Sequence, residues 1–158
     1  MTMLEEIGKK AKRAAAVLAC ADRAIKDRAL VLAAKAVRAN AESILAENKK
    51  DMDALKPETS PAMRDRLLLT PERVEAIAKG LDEIAALPDP VGRILAQWTR
   101  PNGLQITRVA TPLGVIGVIY EARPNVTADA GALCFKSGNA VILRGGSDLS
   151  LIHISEPT

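Results

Sequence analysis

Aromatic residues are almost absent from this chain of 158 residues, which contains one Trp, one Tyr and one Phe. Proteins that bind single-stranded nucleic acids stack bases on aromatic side chains along a strongly basic groove. Here Lys and Arg are interleaved with Asp and Glu, and the net charge is only +3, so we expect no nucleic-acid partner. The core must be built from aliphatic side chains, which favours an α/β fold.

Cysteine is scarce too, and long apolar runs are missing. Cys20 and Cys134 form no CxxC or Cys/His cluster, which indicates neither a metal site nor a disulfide and predicts a reducing cytoplasm. We interpret both thiols as small buried side chains. The run AAAVLACA at 14–21 follows basic residues like the core of a signal peptide, but its helical pattern continues into charged residues. No run approaches the roughly 20 residues of a membrane span, so no membrane partner is expected.

Helical spacing dominates the first part of the chain. Apolar residues recur at helical intervals over about 4–55, with Asp22 or Asp27 as the candidate cap of a second helix, and Lys56-Pro57 ends the pattern. A short segment at 63–69 follows. Thr70-Pro71-Glu72 combines a hydroxyl N-cap with proline at the first helical position, and therefore predicts a helix that ends before Pro88. The apolar stripe that this helix is expected to bury consists of Val74, Ile77, Ala78, Leu81, Ile84 and Ala85.

A β-ribbon is predicted next. The segments 91–99 and 104–110 have the composition of strands, and Arg100-Pro101-Asn102-Gly103 lies between them. Asn-Gly tolerates the positive φ angles of a tight hairpin turn. An isolated two-stranded ribbon is rarely stable, so we expect it to pack on another subunit or domain.

The remaining pattern predicts one βαβ unit. GVIGVIY at 114–120 is nearly continuously aliphatic, as in a parallel strand buried on both faces, and AVILR at 140–144 is the second such strand. Between them Asn125 can cap a helix that runs to about Ser137, with inward residues that include Leu133. Gly138-Asn139 is typical of the end of a helix.

The predicted fold class is thus α/β, with N-terminal helices, a β-hairpin ribbon and the start of a parallel, Rossmann-like sheet. We divide the first 149 residues into a helical part at 1–87, the ribbon at 88–111 and the βαβ unit at 112–149.

Ligands of open α/β sheets bind at the carboxyl ends of the strands. The residues at these two ends are Glu121, Arg123, Asn125, Arg144, Gly145, Gly146 and Ser147. Glycines let the backbone approach a ligand, and a strand-end arginine can hold a phosphate. The chain has no GxGxxG and no GxxxxGK[ST], so a glycine-rich connection beside a surface arginine is the alternative to a nucleotide site. For Glu121 and Arg123 the alternative is an exposed charge pair, and for Asn125 a helix cap.

The stretch 112–148 resembles the aldehyde dehydrogenase superfamily in its P-x-G-V-x-G strand, its S-G-N turn and its V-x-L-R strand. Within that superfamily, YEARPNVTADA and ILRGGSD are similar to γ-glutamyl phosphate reductases. The stretches DRLLL at 65–69, LPDPVGR at 87–93 and PNGLQITRV at 101–109 are similar to the same family.

The resemblance implies NADPH-dependent reduction of L-glutamyl 5-phosphate to L-glutamate 5-semialdehyde in proline biosynthesis, by a homo-oligomer when full length. A cysteine thiolate displaces phosphate, and hydride reduces the thioester. For the NADP(H) site the resemblance implies Arg144, with Gly145, Gly146 and Ser147 around it. For the substrate it implies Glu121, Arg123 and Asn125.

Two features depart from the family. Its nucleophilic cysteine belongs to a downstream domain whose motif neither Cys20 nor Cys134 matches, so we expect no catalytic residue and no activity from this chain alone. Residues 150–158 fit no continuation of the family and are expected to be a non-native tail, in which His153 has no role. General aldehyde dehydrogenases also carry a Trp-Asn pair before the proline. The amide of that pair supports the oxyanion. Here the equivalent stretch is Glu-Ala-Arg-Pro, with no asparagine in that register, so the resemblance leaves nearby Asn125 as the candidate substitute.

Three other interpretations remain. The chain could be a non-catalytic oligomerisation or interaction fragment, or the reductase half of a bifunctional pyrroline-5-carboxylate synthetase. A CoA-acylating aldehyde dehydrogenase is disfavoured by EARPNV.

Overall fold

The computed structural model describes residues 2–121 and 123–145. Gly146, Ser147 and the predicted tail at 150–158 lie outside the described residues. In chain order the elements are α1 (Met3–Ala19), α2 (Arg23–Ala39), α3 (Ala41–Asp53), α4 (Pro61–Leu67), α5 (Pro71–Ala86), β1 (Ile94–Thr99), β2 (Gln105–Val109), β3 (Val115–Ile119), α6 (Pro124–Lys136) and β4 (Ala140–Arg144).

Three of the six helices in the described residues, α1, α4 and α5, begin at a side-chain cap. Thr2 and Glu5 form a capping box at the start of α1. The side chains of Ser60 and Thr70 accept backbone hydrogen bonds at the starts of α4 and α5, and proline follows each of them. The prediction at Thr70 is therefore confirmed. Asp22 occupies the predicted N-cap position of α2, but its side chain accepts no capping hydrogen bond.

The core lies between α2, α5 and α6. Alanine dominates the contact, which lets the helix backbones approach one another. The cluster consists of Leu30, Ala34, Ala78, Leu81, Ile84, Ala85 and Ala132. The apolar stripe predicted for α5 is confirmed, with Ile77 only half-buried.

Four charged side chains lie within the junction of the same helices. Lys26, with its side chain fully buried, forms an ion pair with Asp89, and its Nζ lies 2.6 Å from Asp89 Oδ2. The Lys136 ammonium donates to the Asp27 carboxylate and, at 2.7 Å, to the carbonyl of Ala85. Buried charges require such partners because desolvation is costly. Nothing in the sequence pattern predicted this junction.

The predicted βαβ unit is confirmed. β3 and β4 are parallel, with Val115 opposite Ala140 and Ile119 opposite Arg144. α6 ends at Lys136 with Ser137 as its C-cap, and Gly138 follows with a positive φ, as the Gly138-Asn139 signal predicted.

The expectation that β3 is buried on both faces is wrong for the described residues. Ile119 is 86% exposed, and exposed and half-buried residues alternate along the strand. The reason is that the described sheet contains only β3 and β4, so β3 has no second neighbouring strand.

Two expectations for α6 are also wrong. Arg123 is the N-cap and Pro124 the first helical residue, so Asn125 lies inside the first turn rather than at the cap. Proline prefers that position because its fixed φ suits the helix and its missing N–H costs no hydrogen bond there. Leu133 is 49% exposed, because the side of α6 that meets the core carries Ala128 and Ala132 instead.

The ribbon forms as predicted but is shorter at both ends. β1 and β2 are antiparallel, and a register shift between Ile94 and Ala96 interrupts the pairing near the base. At the turn only Gly103 has a positive φ, of 84°, while the Asn102 side chain accepts the N–H of Leu104. Every residue of β1 is exposed. Packing of the ribbon on another subunit stays a prediction.

Candidate functional site

The carboxyl ends of the two parallel strands meet, as the topology requires. The N–H of Tyr120 donates to the carbonyl of Arg144 at 3.1 Å, which joins the two predicted ligand segments. Arg144 is exposed at this edge and Gly145 is half-buried. Because Gly146 and Ser147 lie outside the described residues, the structure positions only the first half of the predicted cofactor site.

The segment at 67–69 is bound to Asn48 of α3 and packs against Tyr120. The buried amide of Asn48 donates to the Leu67 carbonyl at 2.8 Å and accepts the Leu69 N–H at 2.7 Å. Leu67 packs against Tyr120, whose hydroxyl lies 2.5 Å from Thr127 Oγ1 on α6. These contacts tie the α4–α5 connection to the start of α6.

A cavity of about 380 Å³ lies between that connection and α6. The residues that line it are Asp65, Arg66, Leu68, Leu69, Arg73, Ala76, Ile77, Arg123, Pro124, Asn125 and Asp129. Of the predicted substrate residues, the structure brings Arg123 and Asn125 to this cavity. Glu121 is exposed and, like Arg144, is not among the lining residues.

The charges around the cavity fall into two groups. Arg73 is engaged, with Nη2 2.7 Å from Asp65 Oδ1 and Nη1 2.8 Å from the Leu68 carbonyl. Within residues 2–121 and 123–145, Arg66 and Arg123 form no ion pair, and neither do Glu121 and Arg123 with each other. Two guanidinium groups are therefore available to an anionic ligand.

Asp129 adds a carboxylate to the same cavity. Its Oδ2 accepts a hydrogen bond from Asn125 Nδ2 at 3.0 Å, and the described residues supply it with no cation. Because the Asn125 amide donates to Asp129, the structure gives no support to the expectation that it substitutes for the oxyanion amide of general aldehyde dehydrogenases.

Sequence reasoning missed four charged residues of the cavity: Asp65, Arg66, Arg73 and Asp129. DRLLL and YEARPNVTADA were both noted for their resemblance to one family. The shared resemblance could have indicated that both motifs contribute to one site. Their contact could not be predicted, because the motifs are far apart in sequence.

Neither cysteine is placed for nucleophilic work. Cys134 is buried, which confirms its interpretation as a small buried side chain, and burial raises the pKa of its thiol. Cys20 is exposed at the end of α1, so the expectation that it is buried is wrong. In the part of the chain that the structure describes, no cluster of His, Cys, Asp and Glu could hold a metal ion, and no helix is long and apolar enough to cross a membrane.

Comparison with known proteins shows the family. The chain is 61% identical over 147 residues to a γ-glutamyl phosphate reductase from Paramagnetospirillum magneticum and 63% identical over 147 residues to one from Parvibaculum lavamentivorans. It superposes on the γ-glutamyl phosphate reductase of Thermotoga maritima with a TM-score of 0.89 and 38% identity over 93% of this chain and 36% of that one. The chain belongs to the γ-glutamyl phosphate reductase family.

The crystal structure of the γ-glutamyl phosphate reductase from Saccharomyces cerevisiae agrees, with a TM-score of 0.91 and 33% identity over 96% of this chain and 39% of that one. These likenesses to γ-glutamyl phosphate reductases confirm the α/β fold class. The chain spans about 35% of the length of the curated relatives, whose alignments cover 92% of it. No family model matches the chain.

Proposed function

We propose that this chain forms part of an enzyme of proline biosynthesis that reduces L-glutamyl 5-phosphate to L-glutamate 5-semialdehyde with NADPH. The observation that carries the proposal is the identity of 61–63% to γ-glutamyl phosphate reductases over 147 residues. It is supported by the cavity, because two of its arginines can bind the phosphate of such a substrate. A cytoplasmic location belongs to the proposal and is supported by the two free cysteines.

The cofactor part of the proposal rests on the strand edge. Arg144 is exposed at the carboxyl end of β4, where its guanidinium can pair with a nucleotide phosphate, and Gly145 leaves room for close approach. These two residues fit NADP, and Gly146 and Ser147 complete the proposed site. When bound, NADPH would supply the hydride that reduces the acyl group.

The nucleophile is proposed to lie outside this chain. A thioester intermediate requires a thiolate, whereas Cys134 is buried with a raised pKa, and Cys20 does not line the cavity. The chain would therefore hold substrate and cofactor for a cysteine that another part of the enzyme provides.

A chimera tests this division. Residues 1–145 replace the aligned segment of the full-length Parvibaculum lavamentivorans relative, and semialdehyde- and phosphate-dependent reduction of NADP⁺ is followed. We expect activity from the chimera and none from the 158-residue chain. Turnover by the chain alone would contradict the placement of the nucleophile.

The same chimera tests Arg144. Arg144→Gln should raise the KM for NADP⁺ by about tenfold and that for NAD⁺ much less, because only NADP⁺ carries the 2′-phosphate. Arg28→Gln, at an exposed position on α2, removes the same charge and serves as the control. Equal KM changes for the two nucleotides would contradict the proposed role.

The exposed ribbon favours a second candidate, a non-catalytic interaction role. Every residue of β1 is exposed, including Ile94, Leu95 and Trp98. Such side chains are typical of a surface that a partner covers.

A further inference from the structure

We infer that the cavity between the α4–α5 connection and α6 recognises the charged groups of the amino-acid phosphate, with Arg66 and Arg123 binding its two anionic groups and Asp129 its ammonium group. The inference deepens the proposed function and rests on it for the identity of the natural ligand. It assigns Arg66 and Asp129 as binding residues and gives Arg123 a specific partner.

The first step is the set of charges that the protein leaves available. Arg73 and Asp65 neutralise each other at 2.7 Å, and Arg73 is further held by the Leu68 carbonyl. Arg66, Arg123 and Asp129 have no ion-pair partner among residues 2–121 and 123–145. A complementary ligand therefore presents two anionic groups and one cation.

The second step is the size and lining of the cavity. At about 380 Å³ it is near the lower end of the range for small-molecule sites. Leu68, Leu69, Ile77 and Pro124 add an apolar lining to the charged groups. A short aliphatic chain that carries a carboxylate, an ammonium and a phosphate group matches both the charge pattern and the apolar lining.

The third step is position. Arg123 caps α6, three residues after Tyr120, whose N–H is bonded to the Arg144 carbonyl at the strand edge. Arg123, which lines the cavity, therefore follows closely in the chain on Tyr120, which contacts the proposed cofactor site at Arg144. Asn48 and the Tyr120–Thr127 contact fix its two sides, so the charged groups project from rigid elements.

Binding to the 158-residue chain is the direct test. The probe is L-2-amino-4-phosphonobutyrate, a stable amino-acid phosphonate, measured by calorimetric titration against 4-phosphonobutyrate, which lacks the ammonium group. Arg66→Gln and Arg123→Gln should each weaken binding of the amino-acid phosphonate by about tenfold, as expected for loss of a charge-assisted contact. Asp129→Asn should weaken binding of the amino-acid phosphonate alone. Arg28→Gln and Glu58→Gln, exposed residues outside the cavity, should leave both affinities unchanged.

The chimera separates this inference from the proposed function. There the three cavity variants should raise the KM for the semialdehyde or phosphate and leave the KM for NADP⁺ unchanged. An active chimera in which they change neither the semialdehyde KM nor the phosphate KM overturns the inference while the proposed function stands. If the chimera folds but is inactive, while the probe affinities change as predicted, the proposed reaction is wrong and the assignment of the cavity residues stands. Absence of probe binding together with unchanged chimera kinetics rejects the assignment of all three residues.

Discussion

Two lysine side chains are buried at the junction of α2 and α6, although a charged group is costly to remove from water. Lys26 is fully buried, and Lys136 is 2% exposed, yet both have carboxylate partners. Hydrogen bonding from Lys136 lowers the pKa of Asp27. For Asp89, burial raises the pKa, but Lys26, the Val91 N–H and Lys136 together lower it, so its pKa is lowered overall. The junction therefore stabilises the fold only while both carboxylates are ionised.

This leads to a prediction about acid. A carboxylate with a lowered folded pKa contributes stability above its unfolded pKa, here about the ordinary Asp value of 3.8, and loses it as the pH falls through the folded value. Lys136→Met should cost about 2 kcal/mol near neutral pH, because it leaves the buried Ala85 carbonyl without a donor and leaves Asp27 with Arg23 as its remaining partner. The difference in the free energy of unfolding between this variant and the wild type should decrease below about pH 4, because Asp27 becomes protonated. Urea unfolding at several pH values measures it.

The control for that prediction is Lys79→Met, which removes an exposed lysine 3.8 Å from Glu83. We expect little change in the free energy of unfolding, since exposed pairs contribute little. A loss for Lys136→Met that is the same at every pH would contradict the role of Asp27.

At the scale of elements, the end of α6 determines how β4 aligns with β3. Asn139 Oδ1 accepts the N–H of Gly114 at 2.9 Å, so the turn after the helix holds the start of the neighbouring strand. Gly138 has a φ of 75°, and a Cβ there would lie 2.9 Å from Pro112 Cγ. This turn therefore requires glycine both for its backbone conformation and for space.

Gly138→Ala should accordingly destabilise the fold by about 2 kcal/mol or more, through left-handed strain and the steric clash together. Gly8→Ala is the matched control, because it lies within α1 and a Cβ there meets nothing within 4 Å. That change should stabilise the helix by about 0.5–1 kcal/mol. Thermal or urea unfolding measures the change in the free energy of unfolding for each variant. A change of the same sign for both would contradict this role of Gly138.

The boundaries of helices and turns were the features that could best be predicted from the sequence. Thr70-Pro71, the Arg100–Gly103 turn and the Gly138 terminus each predicted a boundary that the structure confirms, because caps and turns depend on adjacent residues. Asn125 was placed at the wrong helix position because proline at 124 competes for the same start. The rotation of α6 that exposes Leu133 depends on what the helix packs against, which no local pattern contains.

At the scale of the whole molecule, apolar surface is left uncovered on the ribbon and along β3. Ile94 is 60% exposed, Trp98 45% and Ile119 86%. Surfaces of this kind are covered by a partner or lead to aggregation.

We predict that the isolated chain associates as its concentration rises. Trp98, the only tryptophan, reports on it: its emission should shift to shorter wavelengths as the ribbon is covered, in parallel with an increase in sedimentation coefficient. Ile94→Lys places a charge on β1 and should move both transitions to higher concentration. Lys79→Met, on α5, is the control. A chain that stays monomeric with an unchanged emission spectrum would contradict the prediction.

The local elements, the parallel βαβ unit and the resemblance to the family could be predicted from the amino-acid sequence, because these depend on short-range capping, alternation and contiguous motifs. The burial of Lys26 and Lys136, and the cavity that Arg66 and Arg123 share with Asp129, became evident from the folded structure. Those outcomes depend on which distant surfaces pack together. Packing joins the 65–69 and 120–129 segments through Leu67 and Tyr120, a contact between residues that are remote in sequence.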